Sequence, residues 1–300
     1  MFCFFIIRVG ADELGTIALP SRVLVCMVSS LLKYEADQMR RLETFKIVGL
    51  LLLTMCIGAC DGDGTETPLP AGSLAALVQE LGLPIQSDSL IACAASGQNG
   101  FLAESSELPV SVIYLPVKNS GETWYFESEE VVTNQEDLSQ YQRQELIETP
   151  LLNGFLRKFI HPGTSEERMG IVATVSNGKL FISNPINLKF AEQPSAFNPN
   201  AVRVDTTDPV MPVFDWSASG AGEDAIYFHV VSDSENNLIS GTYSIDPHFQ
   251  FYDLSNVVLN IHDTDPAPAL SAGSEYTFSV MAVSLDNWVN AFWSQGFRTD

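Results

Sequence analysis

Two periodicities organise the hydrophobic positions of this chain. Between Ser73 and Leu81 the apolar residues Leu74, Leu77, Val78 and Leu81 repeat at helical spacing. Ser73 stands where an N-cap belongs and Gly82 where a left-handed stop belongs, which predicts one short helix. From Ser89 the period becomes two. Ile91, Cys93 and Ala95 share one face, Val110, Val112 and Tyr114 form the next strand, and Trp124-Tyr125-Phe126 and Phe155 to Phe159 supply two more. Ile171, Ala173 and Val175 alternate up to Asn177-Gly178, after which Leu180 and Ile182 resume the pattern. Asn-Gly between two such runs predicts a hairpin, since both residues accept the positive φ of a type I′ turn. Ile186 and Leu188 close the unit, and the polar segment Glu129 to Glu148 is expected as a long loop or short helix. Residues 89–190 thus predict an antiparallel β-sandwich.

Ala191 to Pro209 is rich in Pro, Asn and Thr and carries few periodic apolar residues, so 191–207 is assigned as a linker, with an inter-domain crossover the alternative. The second unit, 208–300, begins with Val213-Phe214-Asp215-Trp216, with Trp216 in the core. Ile226, Phe228 and Val230 then alternate with Tyr227, His229 and Val231, which assigns His229 to the solvent side. Further on, Leu270-Ser271-Ala272-Gly273-Ser274-Glu275-Tyr276 precedes Phe278, Val280 and Ala282 on the face of Tyr276. This stretch resembles the corner that enters the sixth strand of fibronectin type III domains. The resemblance implies a Tyr276 hydroxyl bonded back to nearby backbone, with its ring in the core. The departure is Asn256 to Ala269, where an extra alternation (Val257, Leu259, Ile261) and a Pro-rich loop intervene. The last strand is expected at Gln295 to Thr299. The predicted fold is all-β: two tandem Ig-like or fibronectin type III-like antiparallel sandwiches.

Ahead of both lies an apolar run from Ile47 to Met55, preceded by Arg40, Arg41 and Lys46 and followed by Ile57-Gly58-Ala59-Cys60. A basic start, a short apolar middle and small residues at the cut define a secretory signal. The whole pattern resembles the lipobox of bacterial lipoproteins, which implies lipidation of Cys60 and cleavage before it, with 39–59 as the signal peptide. Ile47 to Ala59 is too short for a membrane-spanning helix, which needs roughly 20 apolar residues. Residues 1–38 then lie upstream of the signal and are assigned to a start placed too early, with Met39 the true one; an unusually long leader is the alternative. Asp61 to Glu66 is acidic and glycine-rich, so 60–88 reads as a tether followed by the short helix. An acidic patch after a lipidated Cys resembles the surface-export signal of Bacteroidota lipoproteins, while Asp in that place also resembles the inner-membrane retention signal of enterobacteria.

Charge and cysteine content sharpen this picture. The chain holds 15 basic and 37 acidic residues; six of the basic and five of the acidic ones precede Cys60, leaving 9 and 32, a net charge of −23. Such a surface repels nucleic-acid phosphates, and nucleic acid is excluded as a partner. Cys3, Cys26 and Cys56 precede the cut and Cys60 carries lipid, so Cys93 alone remains and no intrachain disulfide or cysteine-rich zinc site can form. Cys93, at strand spacing from Ile91, is expected as a small buried hydrophobe.

Motifs of catalysis are missing from the sequence: no Gly-x-Ser-x-Gly elbow, no phosphate-binding glycine loop and no His-Glu-x-x-His. His161, His229, His248 and His262 are scattered. Asp246, Asp263 and Asp265 are weak Ca²⁺ candidates, with His248 nearby; turn capping is the competing role, and no cofactor is expected. Glu127, Glu129 and Glu130 are assigned to a charged strand edge. Trp124, Trp288 and Trp293 are candidate ligand platforms, with Trp288 in the polar loop Asp286-Asn287-Trp288-Val289-Asn290; a Trp288 folded back over the core is the alternative. The expectation is a non-enzymatic, lipid-anchored protein of the bacterial outer membrane, surface-exposed or alternatively facing the periplasm. It would bind or scaffold a glycan, peptide or protein through its loops. An accessory glycan-binding subunit of a nutrient-uptake complex and a hydrolase with a distributed site are the alternatives.

Overall fold

The computed structural model describes residues 68–97, 110–163, 166–220, 224–251, 253, 255, 257–260 and 269–300. Cys60, its leader, the acidic tether, His262, Asp263 and Asp265 lie outside them. The described residues belong to one compact unit, Pro68–Asp300.

Helix α1, Leu74–Leu81, forms as its sequence dictates. The Ser73 hydroxyl accepts from the Ala76 N–H at 3.1 Å, and Gly82, at φ 57°, turns its own N–H back to the Val78 carbonyl. Among the described residues the other elements are two short 3-10 turns, Leu138–Gln140 and Leu152–Gly154, and strands. In chain order the strands are β1 (Ile85–Leu90), β2 (Ala92–Ser96), β3 (Val110–Tyr114), β4 (Ser120–Glu127), β5 (Gln142–Gln144), β6 (Ile147–Leu151), β7 (Leu156–His161), β8 (Arg168–Ser176), β9 (Lys179–Ser183) and β10 (Ile186–Leu188). There follow β11 (Ala196–Pro199), β12 (Arg203–Asp205), β13 (Val213–Asp215), β14 (Ile226–Asp233), β15 (Leu238–Ser244), β16 (His248–Gln250), β17 (Val257–Asn260), β18 (Glu275–Val283) and β19 (Val289–Arg298). The Asn177-Gly178 hairpin joins β8 to β9 with Ser176 opposite Lys179 and both turn residues at positive φ.

Four sheets result. Sheet I runs β1-β9-β8-β4-β5, with β10 continuing along β8; sheet II runs β2-β3-β7-β6; sheet III runs β11-β19-β18-β14-β15-β17; sheet IV runs β12-β13-β16. The core clusters show how they layer. Leu74 packs with Phe126, Ile171 and Leu180, so α1 covers the outer face of sheet I. Tyr125 and Val172 of sheet I meet Val112, Tyr114 and Phe159 of sheet II. Phe214 and Phe249 of sheet IV meet Phe278, Val280 and Trp293 of sheet III. These are the two sandwiches that the alternation predicts. Each fully buried Phe or Leu contributes about 1.5–3 kcal/mol, so the stacked Phe214 and Phe278, 4.1 Å apart, are a principal contact of the second.

The joint between the sandwiches differs from the expected linker. Ile113, Leu152 and Leu156 of the first half form a single apolar cluster with Phe228, Val230, Met281 and Phe292 of the second. Sheet II therefore packs face to face on sheet III, and the described unit layers α1 and sheets I, II, III and IV in that order. The stretch 191–207 is no free linker either: β11 pairs in parallel with β19, and β12 pairs with β13. This layering corrects His229. The face of β14 opposite Phe228 looks into the second sandwich, so His229 is buried, its ring 4.2 Å from Phe249 and its Nδ1 2.6 Å from the Thr242 hydroxyl. Burial without a charged partner pushes this imidazole down to about 3.

The fibronectin-like corner takes the geometry that the resemblance implies. Ser271 N–H donates to the Tyr276 hydroxyl at 2.9 Å, the ring stacks on Phe297, Leu270 is buried, and Gly273 sits at φ 72°. The extra alternation after Asn256 supplies β17, an edge strand on β15.

Candidate functional site

Among the described residues, a connected set of titratable side chains lies inside the first sandwich, between sheets I and II. Along β4 the odd positions Thr123, Tyr125 and Glu127 point inward, while Trp124 and Phe126 pack toward α1. Glu127 is 3% exposed, which corrects its assignment to a charged strand edge; Glu129 and Glu130, just beyond the strand, are exposed. Three donors converge on its carboxylate: His161 Nε2 at 2.8 Å, the Tyr125 hydroxyl at 3.0 Å and Arg168 Nη1 at 3.1 Å. Burial alone would raise the Glu127 carboxyl. The bonds from His161, Tyr125 and Arg168 outweigh it and hold the group below the usual carboxylate value. The Tyr125 hydroxyl is pushed well above its ordinary value by burial and by the neighbouring carboxylate. Gly170 makes room for this tyrosine: a Cβ there would stand 2.5 Å from the hydroxyl oxygen.

The imidazole of His161 is fixed at both nitrogens. Its Nδ1 accepts the Gly163 N–H at 3.0 Å, so the proton sits on Nε2, which donates to Glu127. Toward the other end of the same interior, Tyr114 donates to Glu148, which also takes Arg157 Nε at 2.6 Å. The rings of Tyr114, Phe159, Tyr125 and His161 run between the two clusters. A tyrosine, a glutamate and an arginine thus recur on either side of the Phe159 ring. Chemically the Glu127 cluster holds one negative charge, neutralised by the donors around it.

The residues singled out from sequence are dispersed. Trp288 is 0% exposed: its ring enters the core of the first sandwich, and its Nε1 donates to the Gln193 carbonyl at 2.8 Å. Trp293 lies in the core between sheets III and IV. Neither offers a face to a ligand, because the polar loop around Trp288 is spent on the other half of the chain. Ala94 N–H donates to the Asn287 carbonyl at 3.0 Å, Asn287 Nδ2 donates to the Pro185 carbonyl at 3.0 Å, and Asp286 pairs with Lys189. Trp124 is half-buried, packs against the cluster beneath α1 and carries the Arg143 guanidinium 6.0 Å from its ring. Asp246 sits exposed in the turn between β15 and β16, where its carbonyl accepts from the Ser244 hydroxyl at 3.1 Å. His248 turns instead to Asp215, Nδ1 to Oδ1 at 2.7 Å. Among the described residues no three His, Cys, Asp or Glu side chains are grouped to hold a metal ion. Cys93 is partly buried against the joint between the sandwiches, and burial pushes its thiol up to about 12.

No family model matches this chain, and no curated protein matches it. Among solved structures it is similar to the chicken interferon gamma receptor alpha chain, at 10% identity over 70% of this chain and 98% of that one, with a TM-score of 0.21. It is also similar to the BSP domain of a biofilm associated protein, at 13% identity over 64% of this chain and 27% of that one, with a TM-score of 0.19. At such scores neither likeness bears on function.

The Glu127 cluster carries one signal in the sequence. Tyr125 and Glu127 share the face of β4 opposite Phe126, and His161 extends the face of Phe159 on β7, so each inward-facing row ends in a polar residue. Their convergence depends on the pairing of β3 with β7 and of β4 with β8, which no local pattern encodes.

Proposed function

We propose that this chain is a lipid-anchored module of the bacterial cell envelope that binds or scaffolds a partner and has no catalytic activity of its own. The observation that carries the reading is the sequence Ile57-Gly58-Ala59-Cys60, which follows a basic and apolar leader and is itself followed by an acidic tether. Two acyl chains or more on Cys60 would anchor the chain stably, since each buried methylene is worth about 0.8 kcal/mol. The stack that begins with α1 at Leu74 suits presentation of loops and sheet edges from a packed body.

The test is metabolic labelling with a palmitate analogue in a bacterial host. Wild-type chain should take up label and partition into detergent, and Cys60→Ala should do neither. Unlabelled wild-type chain would overturn the anchor. Protease shaving of intact cells, with a periplasmic control, then decides the face: loss of the described unit while the control survives supports surface display. Protection until the outer membrane is broken supports a periplasmic scaffold.

A further inference from the structure

We propose that the depression over Gly296 on sheet III is a binding site for a neutral oligosaccharide. Gly296 lies inside β19, directly opposite Thr277 of β18. Glycine within a strand ordinarily marks a bulge, a tight bend, or a place where a ligand or another backbone comes close. The bulge is absent here, since the register shift between β18 and β19 falls at Ala282/Val283, far along the ladder. The bend is absent as well: Gly296 is not at positive φ, and the pairing runs on to Glu275 and Arg298. Nor does internal packing need the space. A Cβ built on Gly296 would meet no atom of the described residues within 4 Å beyond its own sequence neighbours. The missing side chain therefore serves approach from outside the chain.

The space it leaves is a cavity of about 470 Å³, within the range of about 300–1,000 Å³ for small-molecule sites. Ser234, Glu275, Thr277 and Arg298 rim it; Tyr276 and Phe297 complete the lining but turn their rings into the core of the second sandwich. Glu275 and Arg298 face each other across the ladder and are both exposed, with Arg298 also paired to Asp300, Nε to Oδ1 at 3.4 Å. The main chain of β18 is engaged by β14 on one side and β19 on the other, so an occupant meets side-chain groups rather than a strand edge. Those groups are a carboxylate that only accepts, a guanidinium that only donates and two hydroxyls that do both. Sugar hydroxyls, which donate and accept at close spacing, match such a set. Charge narrows the choice further. Asp233 and Glu235 flank Ser234, Asp300 lies on Arg298, and the chain carries a net −22. Phosphate, sulfate and uronate ligands are repelled, and so is a second copy of the chain. A cationic peptide is drawn to the acidic surface at large rather than to a depression that holds Arg298. The proposal rests on the binding role proposed above and not on the Cys60 anchor.

The experiment is titration calorimetry of the full chain, in a zwitterionic detergent, against neutral hexasaccharides of glucose, mannose, xylose and galactose, with hexagalacturonate as the anionic control. At least one neutral sugar should bind, and the galacturonate should not. Gly296→Thr fills the depression and should weaken that binding about tenfold or more, while its Tm stays at the wild-type value or rises, because Thr suits a strand better than Gly and has room. Glu275→Gln and Arg298→Gln should each weaken it about tenfold or more, as expected for the loss of one charge-assisted hydrogen bond. Absence of binding by every neutral sugar, equal binding of the galacturonate, or wild-type binding by Gly296→Thr would overturn the site. A fall in Tm on Gly296→Thr would overturn it too, since the glycine would then serve the fold. So would a dimer, seen by sedimentation, that Gly296→Thr dissolves. A palmitate-labelled chain that binds no sugar loses this site and keeps its anchor, whereas an unlabelled chain that binds sugar does the reverse.

Discussion

The indole of Trp288 lies in the core of the sandwich to which it does not belong by sequence, with its Nε1–H on the carbonyl of Gln193 at 2.8 Å. Around this contact the loop from Ser284 to Asn290 is stitched to Ala94, Pro185, Asn187, Lys189 and Gln193. The two sandwiches therefore share side chains as well as a face, and their folding is coupled. Trp288→Ala should cost about 3–5 kcal/mol through the cavity it leaves. Denaturant unfolding followed separately by signals from each half should show one transition, shifted as a whole. Loss of the second half at lower denaturant, with the first half untouched, would contradict the coupling.

Tyr276→Phe removes the acceptor of the Ser271 N–H and leaves the stacked ring in place. The expected loss is about 1–2 kcal/mol, measurable as a drop in Tm with no change in the near-ultraviolet circular dichroism of the core.

These two residues also mark what the sequence discloses. The Ser73 cap, the Asn177-Gly178 hairpin and the Tyr276 corner are local: each is a few residues whose side chains satisfy their own backbone, and each stands where the pattern placed it. Trp288 obeys no local rule, because the polar residues beside it bond to main chain roughly a hundred positions away, and polarity alone cannot tell a solvated loop from a docked one. The face-to-face packing of sheets II and III did leave a trace. β3 reads Val-Ser-Val-Ile-Tyr and β14 opens Ile-Tyr-Phe-His-Val-Val, and such nearly unbroken apolar runs mark strands covered on both faces. His229 stands inside such a run, which places it in the core rather than at solvent.

Two glycines separate backbone strain from steric exclusion. Gly178 sits at φ 72° with nothing within 4 Å of a built Cβ, so Gly178→Ala should cost about 1–2 kcal/mol from conformation alone. At Gly170 a methyl group would meet the Tyr125 hydroxyl oxygen at 2.5 Å, inside the Glu127 cluster. Gly170→Ala should lose about 1–3 kcal/mol by overpacking and more through displacement of the Tyr125 bond to Glu127. Chemical denaturation should rank Gly170→Ala as the more damaging of the two.

Acid stability should follow from His229. Its folded value lies near 3, while an unfolded histidine titrates near 6.5. Between those limits the unfolded chain binds a proton that the folded chain refuses, so the contribution of this residue is full above about pH 6.5 and falls as pH drops toward 3. The loss across that window amounts to a few kcal/mol. Glu127, Asp224 and Asp286 act in the same direction lower down. Burial opposes their ionisation, but hydrogen bonds and ion pairs hold each below its ordinary value, so their stabilisation is present above the unfolded carboxylate range and disappears as pH falls through the folded values. Replacing His229 with Gln keeps a polar partner for Thr242 and removes the upper part of this dependence. Unfolding free energies at pH 7.5 and pH 5 should differ clearly in wild type and much less in His229→Gln. An equal pH dependence in both proteins would mean that His229 takes up its proton in the folded state, and that the core between sheets III and IV admits charge.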